Sequence, residues 1–316
     1  MLLRLAMSWP VRAAVTLALL VALAVWIDWG QVAKRLEQGR WELFVVAVLV
    51  VAAALVVAAL RWHVFLRAGG VETSVSGTLR AYGIGMFANN FLPTGFGGDA
   101  ARALVIRSAG ASTVRAVASV VVDRVTALGC LLLLSWLVLA LAPDDVPGSL
   151  VGVLAIVSVV GVVLAVAFIL LARSGARQGS GWFVQRAGRF FAEGWAMAGN
   201  RSVIVVTTAL GLVYQGAMVL ASWILARSID LDLSITLLAV VTPLVIVATL
   251  MPISIAGFGV REGSYVALLA AAGLSAADAT LLSLLNVAAL AIATLPGMAA
   301  MLLLPAATPR ERAPAP

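Results

Sequence analysis

Charge is scarce in this sequence. Only 11% of its 316 residues are Asp, Glu, Lys or Arg, where a soluble domain carries roughly a quarter. With 63% hydrophobic residues and a mean hydropathy of +1.11, the chain cannot cover a globule with polar groups. A water-soluble fold is excluded in favour of an integral membrane protein. Cysteine is nearly absent. Cys130, the single one, rules out an internal disulfide or a thiolate metal cluster and reads as a small buried hydrophobe. His63 is the single histidine, so no His/Cys/carboxylate metal set can form. There is no Walker loop for an ATP-driven motor, no Gly-x-Ser-x-Gly elbow, and no soluble segment large enough for a nucleotide-using transferase. Metal, cofactor and catalytic residues are therefore not expected, and the chain is not expected to be an enzyme. Lysine is also rare: of 21 basic residues only Lys34 is not arginine. The net charge of +7 does not point to nucleic acid, because the arginines cluster at the ends of apolar runs. There they read as topology signals and anionic-lipid contacts.

What is present is a set of continuous apolar runs, unlike the alternating segments of a membrane barrel. The expected fold is all-α and polytopic, one domain over residues 1–305 with a disordered Pro-rich tail at 306–316. Spans are predicted at Val11–Ile27, Leu43–Leu60, Ala116–Ala142, Leu150–Ala172, Ser202–Ala226 and Ala279–Leu304. The first reads as a retained helix, not a cleaved signal peptide. The segment Arg173–Arg201 holds five arginines against Glu193 and is expected to be cytoplasmic, whereas Ala142–Ser149 has two Asp and no base and is expected outside. This orientation puts both termini in the cytoplasm, but it also puts Lys34, Arg35 and Arg40 outside, against the usual bias. The stretch Arg186–Gly199 has the pattern of an interfacial amphipathic helix with Phe190, Phe191 and Trp195 towards lipid.

Two apolar regions are interrupted. Residues 79–107 contain FLPTGFGGDAAR, with Pro93, Gly95, Gly97, Gly98 and then Asp99 and Arg102. Residues 235–272 contain MPISIAGFGVREG, with Pro252, Gly257, Gly259 and then Arg261 and Glu262. Basic residues lie on both sides of the first region, so it is predicted to enter and leave on the cytoplasmic side. The second starts and returns outside. Both breaks carry a Pro, a Gly-Phe-Gly triplet and a following charge. Broken helices in inverted repeats that meet at mid-membrane are a common transporter plan, and irregular backbone survives at that depth only when buried in protein or lining a wet cavity.

Charges inside the apolar sequence are Asp99, Arg102, Asp123, Arg124, Arg261 and Glu262. They are costly there and tend to face an interior and pair with one another. Each has a plainer reading beside the functional one. Asp99 either caps its helix or joins Arg102 at a helix N-terminus suited to an anion. Asp123 and Arg124 are either an interfacial pair that snorkels or part of a cavity. Arg261 and Glu262 are either a structural ion pair or headgroup contacts. Asn89, Asn90 and Asn286 are candidate polar groups of the same cavity, and Tyr82, Tyr214 and Gln215 either line a groove or join helices.

FLPTGFGGDAARALVIR resembles the first signature of the lysylphosphatidylglycerol synthase transmembrane (flippase-like) family, and MPISIAGFGVREG resembles its second. VVVDRVTALGCLLLL resembles the family's helix with an acid–Arg pair, with Asp123 where Glu is commoner, and RWHVFLRAGG its Arg-Trp segment. The resemblance implies a lipid-translocating module of a bacterial or archaeal cell membrane. In multiple-peptide-resistance proteins that module moves aminoacylated phosphatidylglycerol between leaflets. Stand-alone members are assigned to glycolipid or polyprenyl-linked sugar pathways. No aminoacyl-transferase segment follows here, so lipid lysylation is not part of the expectation. The partner expected is a membrane lipid with an anionic, aminoacylated or glycosylated headgroup, with no nucleic acid. A homodimer and a separate lipid-modifying synthase are further partners the resemblance allows. The rival readings are a membrane-embedded enzyme acting on a lipid phosphate or lipid-linked sugar, and a structural partner of a lipid synthase.

Overall fold

The computed structural model describes residues 9–91, 97–174, 182–250, 254–255 and 257–302. Pro93, Gly95, Pro252 and the tail at 306–316 lie outside the described residues. The described residues form helices and no strands. They are α1 (Trp9–Trp26), α2 (Trp29–Glu37), α3 (Trp41–Ala68), α4 (Val75–Phe91), α5 (Gly97–Ser108), α6 (Thr113–Leu141), α7 (Gly148–Ser174), α8 (Trp182–Ala198), α9 (Arg201–Ser228), α10 (Ile235–Leu250), α11 (Val260–Ala270) and α12 (Ala276–Leu302). Five of them, α3, α6, α7, α9 and α12, are long and apolar enough to cross a membrane. At 1.5 Å per residue the 28-residue α3 is about 42 Å long, more than the ~30 Å of bilayer hydrocarbon. The protein is a multi-pass membrane protein.

The predicted spans all coincide with helices, and α2 is an addition. It follows α1 after a bend of 77° and begins at Asp28, whose carboxylate accepts from the Gln31 backbone N–H. Its sequence WGQVAKRLE is amphipathic, with Val32 buried.

Contacts between helix ends define two ends of the bundle. Arg40 N–H donates to the Ser228 carbonyl, so α3 starts where α9 finishes. Arg35 pairs with Asp278 at the start of α12, Arg40 with Asp230 and Arg227 with Asp232. Arg35 and Arg40 of the first loop are thus matched by acids from elsewhere in the chain. At the opposite end, Arg80 Nε donates to the Ala300 carbonyl, tying the start of α4 to the end of α12. Arg115 pairs with Glu193 of α8 at 3.0 Å, and Met197 of α8 fills the space beside Gly69. In α8 Trp195 is exposed and Met197 fully buried, while Phe190 and Phe191 are half-buried. This end carries Arg67, Arg107 and Arg201 as well.

The two interrupted regions make short helices. α4 and α5, 17 and 12 residues long, reach about 26 and 18 Å. α10 and α11, 16 and 11 residues long, reach about 24 and 17 Å. None crosses ~30 Å alone. α4 and α5 run antiparallel: Gly98 abuts Asn89 and Gly85, and Arg102 sits beside Gly85 and over Tyr82.

Candidate functional site

The first site is built from α3, α5 and α6. Arg61 lies seven residues before the end of α3, and Asp123 ten residues into α6, about 15 Å along it. Arg61 donates from Nη2 and Nε to Asp123 Oδ1 at 2.8 and 3.0 Å. Arg102 Nη1 donates to the other oxygen, Asp123 Oδ2, at 2.9 Å. Arg102 also reaches Asp99, one helical turn before it on α5, at 3.1 Å. Asp99 in turn receives Arg124 through Nε and Nη2, both at 3.1 Å. The result is an alternating chain, Arg61–Asp123–Arg102–Asp99–Arg124, in which two carboxylates serve three guanidiniums. One positive charge is in excess.

Burial falls along this chain. The side chains of Arg61, Asp123 and Arg102 are 1%, 2% and 4% exposed. Asp99 is 13% exposed and Arg124 46%. Aromatic rings cover the buried end. The Arg102 guanidinium lies 4.9 Å from the Trp62 ring centre and 5.1 Å from that of Tyr82, and Arg61 lies 5.7 Å from Tyr214. A cation on a desolvated ring gains about 2 kcal/mol, so the rings offset part of the cost of removing arginines from water. Trp62 is itself held by Ser119 through Nε1–H. Arg61 Nη1 is buried without a hydrogen-bond acceptor, as expected where donors outnumber carboxylate oxygens.

The position of α5 depends on glycine. A methyl group on Gly98 would strike the Gly85 carbonyl and Asn89. The absence of a side chain lets α5 lie directly on α4, and Asn89 Oδ1 accepts the Gly98 N–H at 2.9 Å. That hydrogen bond occupies one of the donors at the start of α5. Asp99 therefore spends its carboxylate on Arg102 and Arg124. On the other side of α4, Gly83 and Gly297 of α12 meet backbone to backbone, and Asn90 Nδ2 donates to Thr294 of α12.

The second break is a local structure sealed by α1. Gly257 and Gly259 have φ of +78° and +81°, which other residues rarely adopt. Glu262 Oε2 accepts the Gly259 N–H at 2.6 Å and so caps α11, while Oε1 is buried without a partner. The Arg261 guanidinium folds back near Gly257. Thr16 of α1 accepts the Ile255 N–H at 2.8 Å, and Leu19 packs on Gly259.

Of the six charges singled out in the sequence, Asp99, Arg102, Asp123 and Arg124 are joined in one chain. Glu262 makes no ion pair with it among the described residues, and Arg261 lies beside Glu262 on α11. Asp123 and Arg124 are neighbours in sequence yet pair with different partners. Asn286 ties α12 to Ser222 of α9, and Gln215 of α9 donates to the Ala127 carbonyl of α6; both join helices. Sequence reasoning placed Arg61 among the bases before the first break and in the Arg-Trp segment of the resemblance, but not among the site residues. Its distance from the end of its helix was the available clue. Thr16 and Leu19 carried no such clue.

These residues, from the Arg-Trp pair on α3 through both glycine breaks, lie within the segment matched by a single family model, that of the lysylphosphatidylglycerol synthase TM region, over residues 11–306. The chain belongs to this family. No curated protein matches the chain. The lysylphosphatidylglycerol synthase TM region is a membrane domain related to lipid handling, and the match takes in every element from α2 to α12, so the charge chain and the capped turn before α11 are parts of one family domain.

Proposed function

We propose that the protein moves a lipid between leaflets without chemically altering it, with the charged headgroup passing along the Asp99–Arg124 end of the buried charge chain while its tails stay in hydrocarbon. The observation that carries this is the excess positive charge, presented by a half-exposed arginine about 17 Å along a span. A net positive charge at that depth is costly, and the phosphate of a lipid is the anion most abundant around it. In this reading the two short hairpins are re-entrant from opposite faces, and motion of one against the other exposes the site to each leaflet in turn. The alternation of acids and bases suits anionic, aminoacylated or glycosylated headgroups, because each presents an anion, an amine or hydroxyls.

The test is leaflet exchange in proteoliposomes. Fluorescent lipids with zwitterionic, anionic, aminoacylated and glycosylated heads are reconstituted with the protein, and dithionite quenching of the outer leaflet is followed. The expected result is exchange above protein-free vesicles for one headgroup class, lost in Arg124→Ala and in Arg261→Ala. Folded protein that exchanges none of these lipids, with or without an ion gradient, overturns the reading. A covalently altered lipid recovered from the vesicles overturns it in favour of an enzyme.

A further inference from the structure

Beyond Arg124 along α6 lies an apolar groove of about 600 Å³ between α6 and α7. Val125, Leu128, Leu132 and Trp136 line it from α6, with Gly161 and Ala165 opposite on α7. Leu128 lies one turn beyond Arg124, and Leu132 and Trp136 continue the i+4 row that starts there, a row that slants round α6 by about 40° per turn away from the Arg124 face. Trp136 lies about 18 Å beyond Arg124 along the axis of α6. At this far end Trp136 Nε1–H donates to Ser158 at 3.0 Å and holds the two helices together. Elsewhere glycines keep the walls thin. A methyl group at Gly129 would meet nothing within 4 Å, and one at Gly161 would only touch Leu132.

Resting on the lipid-transport reading above, we propose that this groove holds one acyl chain of a phospholipid whose phosphate binds Arg124 in exchange for Asp99. The charge arrangement names the occupant. The groove wall is apolar, and at its near end, next to Val125 and one turn before Leu128, α6 carries a guanidinium already bound in bidentate fashion by a carboxylate, the geometry a phosphate also satisfies. Asp99 keeps Arg102 when it releases Arg124, so no carboxylate is left unpaired. The direction follows as well. The chain extends from Arg124 towards the end of the bundle that carries Asp144 and Asp145. A lipid so placed has the head-to-tail polarity of the leaflet at the arginine-rich end, sunk into the membrane.

Two photoactivatable phosphatidylglycerols test this, one with a diazirine near the carboxyl end of an acyl chain and one near its methyl end. The protein is irradiated in vesicles and adducts are mapped by mass spectrometry. The first probe should label around residues 125–128 and the second around 132–136 and 158–161. Gly129→Phe should lower both several-fold, and Arg124→Gln should lower labelling by these probes but not by the corresponding diacylglycerol. The apparent Tm of each variant shows that it is folded, and Gly161→Phe serves if Gly129→Phe is not. Labelling spread evenly over the lipid-facing surface, a reversed order of the two probes, or no effect of Gly129→Phe overturns the groove. Leaflet exchange in the same vesicles separates the two ideas. Register-specific labelling without exchange keeps the groove and removes transport; exchange without such labelling does the reverse.

Discussion

Asp99 holds Arg124 across 25 positions of sequence through two hydrogen bonds of 3.1 Å, and it does so from a helix that begins only two residues earlier. The carboxylate is therefore placed by the break in the chain itself. Were the helix continuous from α4, Asp99 could not face α6 beside Arg102.

Removing the carboxylate at the centre of the chain should be the costliest single change. Asp123→Asn leaves Arg61 and Arg102 buried against a neutral amide, and breaking such a pair costs about 3–5 kcal/mol. The apparent Tm in detergent should fall sharply. Adding Arg61→Gln should recover part of the loss, because one buried charge then disappears with its partner. A double variant no more stable than Asp123→Asn alone would mean that the chain is wet enough to tolerate an unpaired arginine.

Gly98→Ala should separate α5 from α4. Its methyl group overlaps the Gly85 carbonyl, a backbone atom that cannot rotate away, and overpacking of this kind costs about 1–3 kcal/mol. Gly216→Ala on α9 is the contrast: the space there is open, so the helix should be unchanged or stabilised by up to about 1 kcal/mol. Thermal unfolding of the two variants side by side tests the difference.

Loss of the cap at the second break should be local. Glu262→Ala removes the acceptor for the Gly259 N–H, worth about 0.5–2 kcal/mol, whereas Glu262→Gln retains it. Hydrogen exchange at Gly259 and Val260 should quicken in the first variant and not in the second.

Orientation can be read from cysteine accessibility. Cys130 is buried, so new thiols at Asp144→Cys and Ser108→Cys report alone. The arginine-rich end is expected inside. An impermeant maleimide should label Asp144→Cys in intact cells and Ser108→Cys only after permeabilisation; the opposite pattern would invert the orientation drawn from the arginines.

The spans were legible because hydropathy is a property of the chain alone, and each of the six predicted runs falls on a helix among the described residues. The glycine breaks were legible for the same reason: Gly97, Gly98, Gly257 and Gly259 announce backbone that another residue would obstruct. Partners were not. Asp123 adjoins Arg124 in sequence, yet successive positions on a helix point about 100° apart, so each turned to a different neighbour. Arg61 resembled its neighbours Arg67 and Arg80 as an end-of-helix charge, and only packing against Asp123 distinguished it. Thr16 seals a turn some 240 residues away through one hydroxyl, and no local pattern encodes such a contact.

The glycines of α4 have a mechanical meaning. Gly83 faces α12 and Gly85 faces α5, so the helix meets both neighbours through main chain. Side chains between helices act as springs, since rotamers yield before backbones do. At these two contacts main chain meets main chain, with side chains only beside them. A shift of α12 at Gly297 is passed to Gly98, and from there to the carboxylate of Asp99, with little slack: α4 is a stiff shim between the last span and the charge on which the headgroup would be weighed.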